Sequence, residues 1–351
     1  MTSDASSRPP YLRIASEEAW APPELISLYR RHLSDKTIAD VGFASLMGYF
    51  LGSTHPQPRA VVERLQDAAE RRLGDMDASG IDHQVLAMTS PGTQVLGAEE
   101  GSWIAAVAND RLAEITRTHP RRFSGLAAVS FEDVGKAVVE LRRAVTDLGL
   151  RGLILNDHIR GSYIDDPRFA PLLAELEDLD VPLYLHPNTP PDSMIAPYHE
   201  AGLDGAVHGF GASAGLHLLR IITSGLLDRH PRLRVVVGHL GEGLPFWLHR
   251  IDHMHAKQVA SGRYETIRPL RQAPSAYFSS QIWLTTSGMP WSPAIMFTRS
   301  VIGADRVMYA MDYPYQYDVA EVEAQDALPL DDDEKADFFE RIARRVFALS
   351  I

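Results

Sequence analysis

The chain predicts an α/β fold, a distorted (β/α)8 TIM barrel with inserted lid loops, on three observations. Short apolar or β-branched runs alternate with stretches of helical spacing along almost the whole sequence. No glycine fingerprint of a dinucleotide site follows any of those runs. Four of the runs, IASEEAW, LYLHP, VVVGHLGE and VMYAMDYP, end in a side chain able to bind a metal or move a proton: Glu17, His186, His239 and Asp312. A doubly wound open sheet would share the alternation. Residues from strands this far apart converge more easily at one mouth of a closed barrel, where the C-terminal strand ends carry the chemistry.

Eight strands are expected, at residues 11–15, 84–88, 124–129, 152–155, 182–185, 234–238, 282–285 and 307–310. Between the first two lies RAVVERLQDAAERRLGDMDASG, with apolar positions at three- and four-residue steps and a stop at Gly80, as a β/α unit requires. Residues 40–58 and 187–212 are too long for plain connections and, with their Gly, Pro and aromatic content, read as ordered lids over the top face or as a subunit contact. Residues 1–10 read as a flexible tail and 11–351 as a single barrel domain, since 351 residues fit one barrel with insertions.

Composition narrows the partners. A formal net charge of -12, with no stripe of Lys and Arg, argues against a nucleic-acid surface, so an anionic substrate must be met by a metal or by placed arginines. The absence of Cys excludes disulfides, thiolate metal sites and a cysteine nucleophile, and fits a reducing cytoplasm. No run reaches the roughly 18 apolar residues of a membrane span, and the start MTSDASSRPP lacks a signal peptide's basic and apolar regions. The expectation is a soluble cytoplasmic protein without membrane or nucleic-acid partners.

Each strand-end residue has a plainer reading beside the functional one. Glu17 and Glu18 follow the first strand, where alternation sends them to opposite sides, but paired glutamates also suit a charged helix start. His186 in LYLHP places an imidazole at the mouth of a buried strand. His239 is followed three residues later by Glu242, one helical turn on, near enough to orient the ring or tune its basicity. A histidine serving a helix N-terminus is the alternative. Asp312 after an apolar last strand is a ligand and proton carrier, or a helix cap.

The runs SEEAW, ERRLGDMDASGID, ANDRLAE, YLHPNTPPDSMI, EAGLDGA, HLLRIITSG, VVVGHLGEGLPFWLHRIDHMH and RVMYAMDYPYQY, spread over residues 13–347, resemble the amidohydrolase-2 (ACMSD-like) family of the amidohydrolase superfamily, with its metal-dependent nonoxidative decarboxylases of aromatic acids. The resemblance implies that Glu17, His186 and Asp312 bind one divalent metal and that His239, paired with Glu242, stands beside the substrate. Resorcylate-type members carry a further histidine two residues after the first glutamate. Here that position is Ala19, which favours the carboxyvanillate-type subgroup. The HxH motif and bridging lysine of two-metal superfamily hydrolases are missing, since the fourth strand ends LILND at Asn156 and Asp157. Two carboxylates and one imidazole suit Mn²⁺, with Zn²⁺ the alternative; the resemblance implies Mn²⁺.

The implied reaction converts 5-carboxyvanillate to vanillate and CO2, as a carboxy-lyase of lignin-derived aromatics. Alternatives are another hydroxybenzoate, of resorcylate or salicylate type, or hydrolysis of a lactone or amide. Asp312 is the expected acid and His239 the runner-up. Arg59 and Arg250 match family positions that meet the substrate's second carboxylate, the plainer readings being a helix-start charge and a solvated helix face, while Tyr315 in DYPYQY is a candidate to hydrogen-bond a ring substituent, or else packs structurally. A homodimer or homotetramer is implied as well. His249, His253 and His255 read as surface or subunit-contact residues, His217 as packed in a helix, and Phe246 and Trp247 as anchors of their helix to the barrel.

Overall fold

The structure is a computed structural model that describes residues 9–351. The tail expected at 1–10 therefore lies mostly outside the described residues. All eight expected strands form: β1 (Ile14–Trp20), β2 (His83–Met88), β3 (Phe123–Gly125), β4 (Leu153–Asn156), β5 (Leu183–His186), β6 (Val235–Val237), β7 (Ile282–Thr285) and β8 (Val307–Met308). All paired strands are parallel, in the orders β1-β2-β3 and β4-β5-β6-β7-β8.

Backbone hydrogen bonds close the two sheets into one barrel. A parallel bridge between Ala127 and Leu153 joins the chain beyond β3 to β4. On the other side, Ser16 N–H donates to Tyr309 O at 3.1 Å and Ala19 N–H to Tyr313 O at 2.7 Å, tying β1 to the chain beyond β8. Chain order and spatial order coincide around the ring, which rules out the doubly wound sheet. Strands covered by helices outside and by side chains inside must be apolar throughout, and Val235, Val236 and Val237 are each fully buried. Burying each such side chain contributes about 1.5–3 kcal/mol. One hydrophobic cluster extends in sequence from Tyr11 to Leu349.

The first strand departs from expectation. It starts three residues late and runs on through Glu17 and Glu18, because its pairing with β2 shifts register between Ala15 and Glu18. The lids are also more regular than loops. The first is the helix Val41–Gly52, whose N-terminus is capped by Asp40 accepting from Phe43 N–H at 2.6 Å, followed by the helix Pro56–Gln66 with proline in its first turn. The second contains the helix Asp192–Glu200 and the start of Gly209–Thr223. Val41 N–H donates to Asp192 at 3.1 Å across the two lids. At Gly42 an added Cβ would fall 1.9 Å from Thr189 Oγ1, so only glycine permits this approach. Asn109 exchanges two 2.8 Å hydrogen bonds with the Ala128 backbone, and Gly80 ends its helix in the left-handed conformation, as the expected stop there requires.

Candidate metal centre

The register shift in β1 sets Ser16 and Glu17 against a single residue of the partner strand, and such a bulge re-aims side chains. Glu17 meets Tyr184 of β5 and Thr285 of β7. Tyr184 donates its hydroxyl to Glu17 Oε2, and Thr285 donates to the same oxygen at 2.8 Å. The other oxygen, Oε1, is buried with no hydrogen-bond partner. It lies 3.5 Å from His186 Nε2 and 3.8 Å from His239 Nε2. A buried, orphaned carboxylate oxygen is rare and calls for an explanation such as an ion.

His186 supplies the matching donor. Its Nδ1 lies 2.8 Å from Pro187 O, and a carbonyl only accepts, so Nδ1 carries the hydrogen and Nε2 presents a bare lone pair. Burial lowers its pKa despite the Glu17 charge nearby, keeping the ring neutral. Asp312, at φ 70°, completes the cluster: Glu17, His186 and Asp312 each offer one ligand atom, all within 4.8 Å of one another. Donors at bond lengths of about 2.0–2.3 Å around one ion span a similar distance, so the residues fit a single divalent cation. Burial pushes the Asp312 carboxyl up to about 7, against His239 and a hydrogen bond from Gln316, with the Glu17 charge adding to the rise.

His239 and Glu242 do pair, through Nδ1 and Oε1 at 2.9 Å. The expected helical turn between them is wrong in hand. His239, Leu240, Gly241, Glu242 and Gly243 have φ of 51°, 53°, 73°, 56° and 77°, so one left-handed turn brings the two side chains together. Such backbone costs L-residues about 1–2 kcal/mol each and is kept where function requires it. Burial would lower the His239 pKa, but Glu242, Glu17 and Asp312 outweigh it and raise it to about 10, so the ring is an imidazolium at neutral pH.

Two glycines leave room for these groups. A Cβ at Gly238 would meet Glu17 Oε2 at 2.5 Å, and one at Gly288 (φ 63°) would meet Gln316 Nε2 at 2.8 Å and His239 Cδ2 at 3.0 Å. Behind the site, buried Asp157 takes a 3.0 Å hydrogen bond from His217 Nδ1 and another from Ser213. The sequence reading missed Tyr184, Thr285, Gln316, Gly238, Gly288 and Asp157. Tyr184 carried a signal: it stands two residues before His186 on one strand, hence on the same face.

Tyr315 stands near this group, with its hydroxyl 2.6 Å from Thr89 Oγ1 and its ring edge-on to Phe50. Arg59 and Arg250 are not drawn into the cluster. Both are exposed, on the helices Pro56–Gln66 and Leu244–Ser261, and neither forms an ion pair among the described residues. His249 and His253 are exposed as expected, whereas His255 is buried. Phe246 and Trp247 do not anchor their helix inward, being 74% and 51% exposed, because the helix buries Leu244, Pro245 and Leu248 instead. A cavity of about 640 Å³ lies to one side, lined by His32, Asp40, Glu100, His158 and Asp192 among others, but no residue of the cluster lines it.

The amidohydrolase family model matches residues 29–349. The 5-carboxyvanillate decarboxylase of Novosphingobium aromaticivorans, solved with manganese and 4-hydroxy-3-methoxy-5-nitrobenzoic acid, is 47% identical; the match covers 97% of each chain with a TM-score of 0.95. The 5-carboxyvanillate decarboxylase of Sphingomonas paucimobilis is 34% identical, covering 97% of this chain and 100% of that one at a TM-score of 0.92. Gamma-resorcylate decarboxylase of a Rhizobium species is 38% identical over 262 residues, 72% of this chain and 79% of its own. With a family match spanning nearly the whole barrel and relatives aligned over most of their length, the chain belongs to the amidohydrolase family.

Proposed function

We propose that this chain is a carboxy-lyase that converts 5-carboxyvanillate to vanillate and CO2, with one Mn²⁺ held by Glu17 Oε1, His186 Nε2 and the Asp312 carboxylate. The observation that carries the reading is the orphaned Glu17 Oε1 facing the bare His186 Nε2. It is supported by the scaffold's 47% identity to a manganese-bound decarboxylase of that substrate. Zn²⁺ is the alternative ion, since affinity order alone favours it.

Direct loss of an aryl carboxylate would leave an unstable aryl anion, so the ring carbon is protonated first, assisted by the neighbouring phenolate. The bound ion supplies charge neutralisation at that phenolate and at the carboxylate beside it. Asp312 gives its proton to the ring carbon; the carbon–carboxylate bond then breaks, CO2 leaves, and the bond electrons restore aromaticity. The substrate phenol returns a proton to Asp312 on binding. His239, an imidazolium paired with Glu242, stands as counter-charge to the dianionic substrate and as second proton carrier. Arg59 and Arg250, free of ion pairs among the described residues, are our candidates for the second carboxylate. Tyr315 is assigned to a ring substituent.

A second reading, another ortho-hydroxybenzoate of resorcylate or salicylate type, is favoured by the 38% identity to gamma-resorcylate decarboxylase. We further infer a single barrel domain acting in cytoplasmic breakdown of lignin-derived aromatics. A homodimer or homotetramer is supported by the exposed aromatic rings of Phe246, Trp247 and Phe297. The test is vanillate and CO2 release from 5-carboxyvanillate by metal-stripped protein resupplied with Mn²⁺ or Zn²⁺. Stoichiometric, metal-dependent vanillate is expected; no release from protein with bound metal sinks the substrate assignment.

A further inference from the structure

Asp312 must hold a left-handed backbone, φ 70°, that an aspartate adopts only at a cost. The chain around it is gripped from β1 by the residue beside Glu17. Glu18 is fully buried, at 0% exposure. Its Oε1 accepts from Met311 N–H at 3.0 Å and its Oε2 from Tyr313 N–H at 3.0 Å, the residues on either side of Asp312. One rigid carboxylate thereby spans the peptide planes that bracket the aspartate.

The fold goes to some length to keep that carboxylate. Arg72, also fully buried, lies with its guanidinium 4.4 Å over the Tyr313 ring and donates to Ala19 O at 2.7 Å and to Gln84 Oε1 at 3.1 Å. Gln84 Nε2 in turn reaches Glu18 Oε2 at 3.5 Å. Burying a carboxyl group and a guanidinium costs desolvation, and well-packed apolar side chains serve a core at least as well. An arrangement of this expense aimed at the two neighbours of one functional aspartate points to geometry rather than stability.

We propose that Glu18 is a positioning residue: it clamps the backbone on both sides of Asp312 and so fixes where that carboxylate stands relative to Glu17 and His186. The two glutamates of β1 then divide the work, Glu17 offering an oxygen and Glu18 holding the chain that presents the other carboxylate. The inference rests on the decarboxylase reading for its turnover readout, but its metal-binding readout does not.

Glu18→Gln keeps the volume and replaces one acceptor by an NH₂ that faces an N–H. Mn²⁺ affinity by electron paramagnetic resonance, kcat and KM for 5-carboxyvanillate, and the unfolding midpoint are measured for the parent and variant. Loss of partners that orient metal ligands typically costs about 10–100-fold, and that loss is expected in Mn²⁺ affinity and in kcat per folded molecule, with KM little changed. Glu18→Asp, which keeps the carboxyl group but is too short to span both N–H groups, is expected to recover part of it. A lower unfolding midpoint with parental Mn²⁺ affinity and kcat per folded molecule would show a merely structural role and overturn the proposal. If Glu18→Gln does not fold, hydrogen exchange in the parent decides: Met311 and Tyr313 amides as slow as those of β7 support the clamp, and loop-like exchange overturns it. A parent that binds Mn²⁺ but releases no CO2 defeats the substrate reading alone, and the affinity comparison still judges Glu18.

Discussion

The ends of β5 and β6 lie side by side, each closing on a histidine, and their rings sit 6.0 Å apart. Burial does not distinguish them, since the side chains of His186 and His239 are 14% and 19% exposed. What differs is the group on Nδ1. His186 gives that hydrogen to a neutral carbonyl, and burial then holds the ring uncharged. His239 faces the Glu242 carboxylate and is held as a cation. One hydrogen-bond partner thus leaves one imidazole neutral with a bare lone pair and makes a cation of its neighbour, a division that no inspection of His-Pro against Gly-His would reveal.

The largest test of that division bears on Asp312, which neighbours both rings. Asp312→Asn is expected to lower turnover by about 10²–10⁴-fold in single-turnover vanillate release, the usual worth of a general acid. Near-parental turnover with metal bound would hand the role to His239. Next, His186→Ala should weaken Mn²⁺ binding beyond the roughly 10–100-fold typical of outer partners, while His239→Ala keeps the ion and loses turnover. Equal loss of metal in both would erase the contrast. A smaller effect is expected from Glu242→Gln, about 10–100-fold in kcat. It removes the main charge that holds the His239 pKa near 10, so the ring should lose its proton at lower pH and the alkaline limb of the activity profile should move down. The smallest effect is on binding itself. Asp312, raised to about 7 without metal, must shed its proton to take an ion, so Mn²⁺ affinity should fall below that pH by at most about tenfold per unit, as calorimetry would show.

The barrel was legible because its strands are apolar on both faces, and runs such as VVV and IWL carry that fact locally. The strand end that carries Glu17 was misjudged for the opposite reason. Two acidic residues look like the end of a strand unless one knows that Tyr184 and Thr285 wait for the first and the Met311 and Tyr313 amides for the second, all more than 160 positions away. The residues of the site were legible as strand-end chemistry, but the left-handed turn from His239 to Gly243 was not, since only its glycines announce it. The lid helices had ordinary signals in Asp40 and Pro56, masked by a composition that reads as loop.

Tyr184 and Thr285 both occupy the same oxygen of Glu17, and this bears on the stoichiometry of the proposed centre. A carboxylate so held cannot turn to offer both oxygens, so in the proposed centre Glu17 would count as a one-atom ligand. The positions open to a chelating substrate on the proposed ion would then be set by two hydroxyl groups that never touch it. A phenylalanine in place of Tyr184 would leave the ligand set unaltered in name and still permit a second oxygen to compete with substrate for the ion.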